Sequence, residues 1–408
     1  MNSRILWASG LLALGLSVGC LLTPPTKPTI GWWKGNTHTH TLWSDGDGAP
    51  EFAAHWYAAR DYDFLVLSDH NILSRGERWF PVEESGRLTP QRVAQLGQLF
   101  GPGWVQERTV AGRREMRLKT LAELRTWFTG SNELLFIQGE EITDSFERRP
   151  VHVNGLNTVE LIDPPHGTSV LDTMQNIVDA VAEQSERLGQ PMLAHINHPN
   201  FGWGIRPEEL AQLRGAAYFE VYNGHPGVRN WGDDTHPGTE SIWDFANTMR
   251  LGELDLSPLY AVATDDSHHY FELALTQSNP GAGWIMVRAP ELTPDAIINA
   301  MGRGDFYASS GVTLNDIQRD AEKLVVDIAC EEGVTYRTEF IGTRRAAGGP
   351  NAIGPIGETL ATSHTNPAVY DFVGDEMFVR AKVTSSRPHP APFTAGDMES
   401  AWTQPCLP

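Results

Sequence analysis

The sequence predicts an α/β fold: a β/α barrel that runs to about residue 312, followed by a small all-β domain. Three observations lead there. Between Trp32 and about Ala308, short apolar runs alternate with segments that carry apolar residues at helical spacing, the signature of repeated β-α units. The apolar runs end in His, Asp and Glu, as barrel strands do when they carry a site at one mouth. Past Val312 the rhythm changes to short alternating strands separated by Gly- and Pro-rich turns.

In chain order, the expected strands of the first region are 34–38, 64–68, 134–139, 152–156, 192–195, 218–222, 260–264 and 284–287. Between them, 50–60, 169–188, 207–213, 241–249 and 294–301 have the apolar spacing of helices. Seven or eight such units fit a barrel better than a small open sheet. The stretch 75–130 breaks the pattern. It is long and charged, contains Gly101-Pro102-Gly103 and Arg113-Arg114, and reads as an insertion after the second strand, either a wall over the site or a surface excursion. The expected strands of the C-terminal part include 323–329 and 377–383.

A chain of 408 residues suits one large enzyme domain with a smaller appendage, and its 40% apolar and 20% charged composition is that of a folded, soluble body. The net charge of −20 disfavours a broad basic surface for nucleic acid or anionic membrane; part of it fits a set of metal ligands, and solubility accounts for the rest. At the N-terminus, Arg4, the apolar run 5–18 and Gly19-Cys20 read as a lipoprotein-type signal peptide over 1–20, with Cys20 as the lipidation site. Leu16 and Ser17 depart from the usual pattern before the cysteine, which leaves simple secretion or an uncleaved anchor open. A proline-rich tether over 21–31 follows, so the expected location is exported, membrane-tethered and facing the periplasm or the cell exterior. Cys330 and Cys406 form either a disulfide or two unrelated thiols. The expected domains are thus 1–20, 21–31, a barrel over 32–312 with its insertion at 75–130, and a β-rich domain over 313–408.

The chemistry concentrates at the strand ends. His38-Thr39-His40 is followed by Ser44-Asp45-Gly46; alternate residues of a strand project to one face, and the next turn brings a carboxylate beside them. Later strand ends carry Ser68-Asp69-His70-Asn71, Gly139-Glu140-Glu141, His152 before Val153-Asn154-Gly155, His195-Ile196-Asn197-His198-Pro199 and Asp265-Asp266-Ser267-His268-His269. Chance would not place so many of the 14 histidines at successive strand ends, and mixed N and O donors suit a multi-metal site.

With these motifs, 32–312 resembles the polymerase and histidinol phosphatase (PHP) superfamily, which implies a distorted (β/α)7 barrel with two or three divalent metals. The resemblance implies His38, His40, Asp45, His70, Glu141, His152, His198, Asp266 and His268 as ligands, with His195 the competitor of His198. One ion would take His38, His40, Glu141 and Asp266; a second would share Glu141 with His152 and His198; a third would use Asp45, His70 and His268. Glu140 and Asp265 are expected to be surface groups or supports that could orient a ligating imidazole, rather than ligands. The donors suit Zn, Mn or Fe.

The implied reaction is hydrolysis of a phosphoester by metal-bound hydroxide, with Asp69 or His268 transferring protons. The Gly-Glu-Glu-Ile-Thr and His-Val-Asn-Gly runs and the β-rich tail also resemble a carbaryl-hydrolase-like branch, which implies a carbamate, amide or ester substrate instead. A non-catalytic, lipid-tethered binding module is the reading from another class. Arg75, Arg206 and His225 are candidate substrate contacts, as are Arg148 and Arg149, and Trp203 and Trp231 could stack on a ring. The expected partner is a small-molecule or phosphoester substrate.

Overall fold

The computed structural model describes residues 31–129, 133–215, 218–347 and 352–408; the expected signal peptide, Cys20 and all of the expected tether but Gly31 lie outside them. The protein is a mixed α/β fold around a large sheet. Its first region contributes β1 (Gly31–Asn36), α1 (Pro50–Ala58) and β2 (Phe64–Leu67), then an excursion formed by β3 (Trp79–Pro81), α2 (Pro90–Phe100), β4 (Glu107–Val110), β5 (Arg113–Arg117) and α3 (Leu121–Trp127). There follow β6 (Leu135–Phe146), β7 (Arg149–Leu156), α4 (Val170–Leu188), β8 (Leu193–Ile196), α5 (Pro207–Gln212), β9 (Tyr218–Asn223), α6 (Thr239–Gly252) and β10 (Tyr260–Thr264). β11 (Trp284–Ala289), α7 (Pro294–Gly302) and β12 (Phe306–Ser309) lead into the C-terminal strands.

The helices form where local signals and apolar spacing agree. α4 is capped by the Ser169 side chain, which accepts from the Asp172 N–H, and is stopped by Gly189 at φ 64°. It buries Val170, Met174, Ile177, Val178 and Val181, spaced three and four apart, against the sheet. α1, α5 and α7 each begin with proline, whose missing N–H costs nothing in a first turn.

Strand directions depart from a uniform parallel array. β1 and β2, β2 and β6, β8 and β9, and β9 and β10 are parallel, but β7 is antiparallel to both β6 and β8, and β11 is antiparallel to β1 and β12. The cause is local. β6 runs on past the expected end into a two-residue turn at Glu147 and Arg148, both at positive φ (48° and 67°), and a turn this short can only reverse the chain. The sheet curls, bringing β10 against β11 and β12.

The described part of the 75–130 excursion, 75–129, folds as a regular unit rather than as an irregular loop. β3, β5 and β4 form a small antiparallel sheet, and α2 and α3 bury Val93, Leu96, Phe100, Leu121 and Leu124 in one core with Tyr57, Leu65 and Leu67. Arg87 donates to the Ser44 and Gly46 carbonyls at 2.9 and 3.0 Å, so this unit buttresses the loop that carries Asp45.

Beyond Val312 the described elements are all strands: β13 (Leu314–Arg319), β14 (Lys323–Ile328), β15 (Tyr336–Arg344), β16 (Glu358–Ser363), β17 (Ala368–Asp371), β18 (Glu376–Pro388) and β19 (Met398–Thr403). β13, β14 and β17 make a separate three-stranded sheet. The other four continue the main sheet through the β12–β19 pair, giving it 13 strands in the order β10-β9-β8-β7-β6-β2-β1-β11-β12-β19-β18-β15-β16. Cys330 is exposed and Cys406 buried, and both are free thiols, so the disulfide alternative does not hold. Among the described residues no helix is long and apolar enough to cross a membrane.

Candidate metal centre

The histidine- and carboxylate-bearing segments converge because neighbouring strands deliver them side by side. The segment after β1 is pinned between two others: His40 N–H donates to the Ser267 carbonyl at 3.0 Å, and Ser68 N–H donates to the Thr39 carbonyl at 3.0 Å. Glu141 lies within β6, in backbone register with His70 on one side and Asn154 of β7 on the other. His198 and Asp266 follow β8 and β10 at positive φ (22° and 50°), conformations that turn the chain sharply as it leaves the sheet.

Glu141 stands at the centre, almost fully buried. Its Oε2 lies 3.4 Å from His38 Nε2, 3.2 Å from His40 Nε2 and 2.9 Å from His70 Nδ1. Its Oε1 lies 3.0 Å from His152 Nδ1 and 3.4 Å from His198 Nε2. Asp266 Oδ1 faces His38 and His40 at 3.3 and 3.2 Å. Asp45 forms an outer corner, 3.3 Å from His268 Nε2, 3.4 Å from His70 Nε2 and 3.5 Å from His40 Nδ1. Donor atoms fall within 4.8 Å of one another in four overlapping groups: His40, Asp45, His70 and His268; His38, His40 and Glu141; His38, His198 and Asp266; and Glu141, His152 and His198. All nine expected ligands belong to these groups. The grouping differs in detail from the expected division, since His40 also joins the outer corner and Asp266 also groups with His198.

The donors suit divalent cations in two respects. Glu141 Oε2 and His152 Nδ1 are buried and, despite the close imidazoles and carboxylate around them, make no well-directed hydrogen bond, a state that a bound cation would relieve. The electrostatics agree. Burial alone would lower His38, His40, His70 and His198 and raise Glu141 and Asp266, yet the mutual attraction of imidazoles and carboxylates overrides it in each case. The carboxylates Glu141 and Asp45 carry His70 up to about 11, and Glu141 and Asp266 are held well below the usual carboxylate range. The site is built to hold positive charge.

Several groups fix the ring orientations. His70 Nδ1 meets Thr143 Oγ1 at 2.6 Å, and His268 Nδ1 donates to the Asp266 carbonyl at 2.8 Å, which leaves its Nε2 facing Asp45. Asn197 Nδ2 donates to Glu141 Oε1 at 2.9 Å. Glu220, which the sequence reading missed, meets His38 Nδ1 at 2.7 Å. Its signal was one carboxylate inside the otherwise apolar or aromatic run Tyr218-Phe219-Glu220-Val221-Tyr222, all of it buried in β9.

Other expected residues are placed elsewhere. Glu140 points away from Glu141, as neighbours on a strand must, and accepts from the Ile162 N–H; burial pushes its carboxyl up to about 7. Asp265 orients no imidazole: it accepts from Asn36, Tyr57 and the Gly281 and Gly283 N–H groups beneath the site. Asp69 accepts from the N–H and hydroxyl groups of Thr41 and Ser44, so it shapes the turn that carries Asp45 instead of offering a free oxygen for proton transfer. His195 is fully buried, its ring 6.3 Å from that of His38, and belongs to none of the four groups.

Arg75 is exposed and donates to the Val159 carbonyl, and exposed Arg206 lines a 240 Å³ cavity with Trp203 and His236. Among the described residues, neither guanidinium is hydrogen-bonded or ion-paired to the nine. Arg149 is paired with Glu209, Trp203 stacks on His236, and Trp231 lies with Tyr222 and Phe393. His225 does reach the centre, its ring 5.5 Å from that of His268 and 5.8 Å from that of Phe201. It accepts from the Gly227 N–H at Nδ1, which puts its proton on Nε2, and burial lowers it to about 4.

No family model and no curated protein matches the chain. Solved structures similar to it include a two-domain protein from Bacteroides vulgatus containing a predicted PHP-like metal-dependent phosphoesterase, at 14% identity over 95% of this chain and 99% of that one, with a TM-score of 0.43. Others are PsfC from Pseudomonas syringae (15% identity, 67% of this chain and 88% of that one, TM-score 0.35) and an amidohydrolase from Chromobacterium violaceum with bound sulfate and no metal (15%, 58% and 88%, TM-score 0.27).

Proposed function

We propose that the protein is a PHP-type metal-dependent hydrolase that cleaves a phosphoester. One observation carries this reading: the two oxygens of Glu141 face different sets of imidazoles, His38, His40 and His70 on one side and His152 and His198 on the other. A carboxylate so placed could be shared by two cations. Bound divalent ions would supply the acidity that makes water a nucleophile near neutral pH and would stabilise charge growing on the substrate's oxygens. His38, His40, Glu141, Asp266, His152 and His198 would hold the inner ions, and Asp45, His70 and His268 the outer one.

The chain's own groups supply the rest. Asp45, half exposed, marks the open side from which a substrate enters. His225, neutral and protonated on Nε2, is the proposed contact to substrate or leaving group. Phe201 packs beside His198 and His225 and restricts water there. The proposal takes 32–312 as one distorted β/α barrel, supported by the curled sheet, and includes export with a lipid anchor at Cys20, supported by the N-terminal sequence alone.

The test is hydrolysis of p-nitrophenyl phosphate, bis-p-nitrophenyl phosphate and matched carboxylester and carbamate substrates, with metal content measured on the same samples. The expected result is phosphate-ester turnover with at least two metals per chain, both lost in Glu141→Ala. Turnover of carbamate or ester alone would replace the phosphoesterase reading with a carboxyl-derivative hydrolase. Bound metal without turnover of any substrate would favour the binding module, and no uptake under metal-replete conditions would overturn the metal centre.

A further inference from the structure

Glu220 is fully buried on β9, and both its oxygens are saturated by donors. Oε1 meets His38 Nδ1 at 2.7 Å and the Thr264 hydroxyl at 2.7 Å. Oε2 accepts from the His198 backbone N–H at 2.7 Å and from Asn223 Nδ2 at 2.8 Å. A single carboxylate on β9 therefore ties together the His38 ring, the backbone of His198 and, through Thr264, the end of β10 just ahead of Asp266.

We propose that Glu220 is the positioning residue of the inner metal pair: it fixes His38 as the Nδ1–H tautomer and holds His38 and His198 together, while the outer corner of Asp45, His70 and His268 forms without it. The proposal rests on the metal-centre reading above. An acceptor at Nδ1 obliges the imidazole to carry its proton there, which leaves the Nε2 lone pair directed at Glu141, Asp266 and His40, where an ion would sit. None of the outer three residues bonds to Glu220; their rings are set by Thr143 and the Asp266 carbonyl.

Glu220→Gln separates this role from general packing, because glutamine keeps the shape but has one donor end. At the Oε2 position that NH2 would face the His198 N–H, a backbone donor that cannot reverse. It therefore takes the Oε1 position, where the Thr264 hydroxyl can rotate to accept, and where it donates to His38 Nδ1. His38 is then forced to carry its proton on Nε2, the nitrogen the metal needs.

The experiment uses the full chain labelled with 15N-histidine, with His38 assigned from the signal missing in His38→Gln, and Co(II) as the probe ion. In the metal-free wild type, brought to a pH at which His38 carries a single ring proton, long-range 1H–15N correlation is expected to show that proton on Nδ1; in Glu220→Gln at the same pH it moves to Nε2 with secondary structure retained. Co(II) affinity of the inner steps is expected to fall about 10- to 100-fold, and the Co(II) that remains is removed by adding Asp45→Asn. Wild-type affinity and an unchanged tautomer in Glu220→Gln would overturn the proposal. Should that variant not fold, the wild-type spectrum decides, since a singly protonated His38 with its proton on Nε2 contradicts the proposal. A wild type that takes up no Co(II) would instead bring down the metal centre itself.

Discussion

His198 and His195 sit three residues apart on one strand end, yet their environments are opposite. His198 Nε2 faces Glu141 Oε1 at 3.4 Å, and the carboxylates Glu141 and Asp266 outweigh burial to raise it. His195 has no hydrogen-bond partner on either ring nitrogen, and burial lowers it to about 4, so it is a neutral core imidazole. His198→Ala is expected to lower metal affinity by at least about tenfold, in the range found when groups supporting a metal site are lost, and His195→Phe to leave stoichiometry unchanged. Isothermal titration with Zn(II) or Mn(II) checks both, and loss of metal from His195→Phe would reverse the assignment. The Asp-His and Asp-x-His motifs could be read from sequence because their ligands directly follow apolar strand runs, and Glu-Glu because its carboxylates end the apolar run although β6 continues past them. Glu220 could not, since what makes it important is the ring of a residue 182 positions away.

At the scale of elements, the 75–130 excursion is tied to α1 by a polar contact as well as by the shared apolar core. Glu51, in the first turn of α1, is buried and accepts from Trp104 Nε1 at 3.0 Å. Burial pushes its carboxyl up to about 7 from an ordinary 4.5. The sign follows from linkage: between those two values the unfolded chain ionises while the folded protein keeps the proton, so this group makes stability fall as pH rises from about 4.5 to about 7. Glu51→Gln is therefore expected to raise unfolding stability at pH 8 by up to about 3 kcal/mol, with the gain vanishing by about pH 4. Denaturant melts at the two pH values test this, and an equal effect at both would assign the change to packing. The excursion was visible in the sequence as a break in the β-α rhythm. That it folds as a small sheet with two helices was hidden by its high charge and exposed strands; β4, for example, is exposed along its whole length.

Across the whole molecule, the C-terminal strands are joined to the first region by backbone pairing and by buried charge. β19 pairs with β12, and Trp402 is buried against Tyr222 in the core under β8, β9 and β10. Arg380 of β18 is almost fully buried, donating to both Asp244 oxygens at 2.7 Å and to Glu240 at 3.2 Å on α6. Arg380→Met removes the partner but leaves Asp244 buried, so a loss of about 3–5 kcal/mol is expected, read as a lower denaturation midpoint in one transition. Unfolding of 313–408 ahead of the rest would show instead that the two regions are energetically separate. The alternation of apolar runs and helical segments was enough to indicate an α/β body and a β-rich tail, and the strand-end motifs, through the resemblance they carry, to name nine candidate ligands, because period and motif are local properties of the chain. Strand direction, the merging of the tail into the main sheet, the placement of Asp69, Glu140 and Asp265 away from the ligand set and the part played by Glu220 were decided only by tertiary structure. Each depends on which atoms meet across strands far apart in sequence, and a two-residue turn or a buried carboxylate acquires its meaning from the partner that folding brings to it.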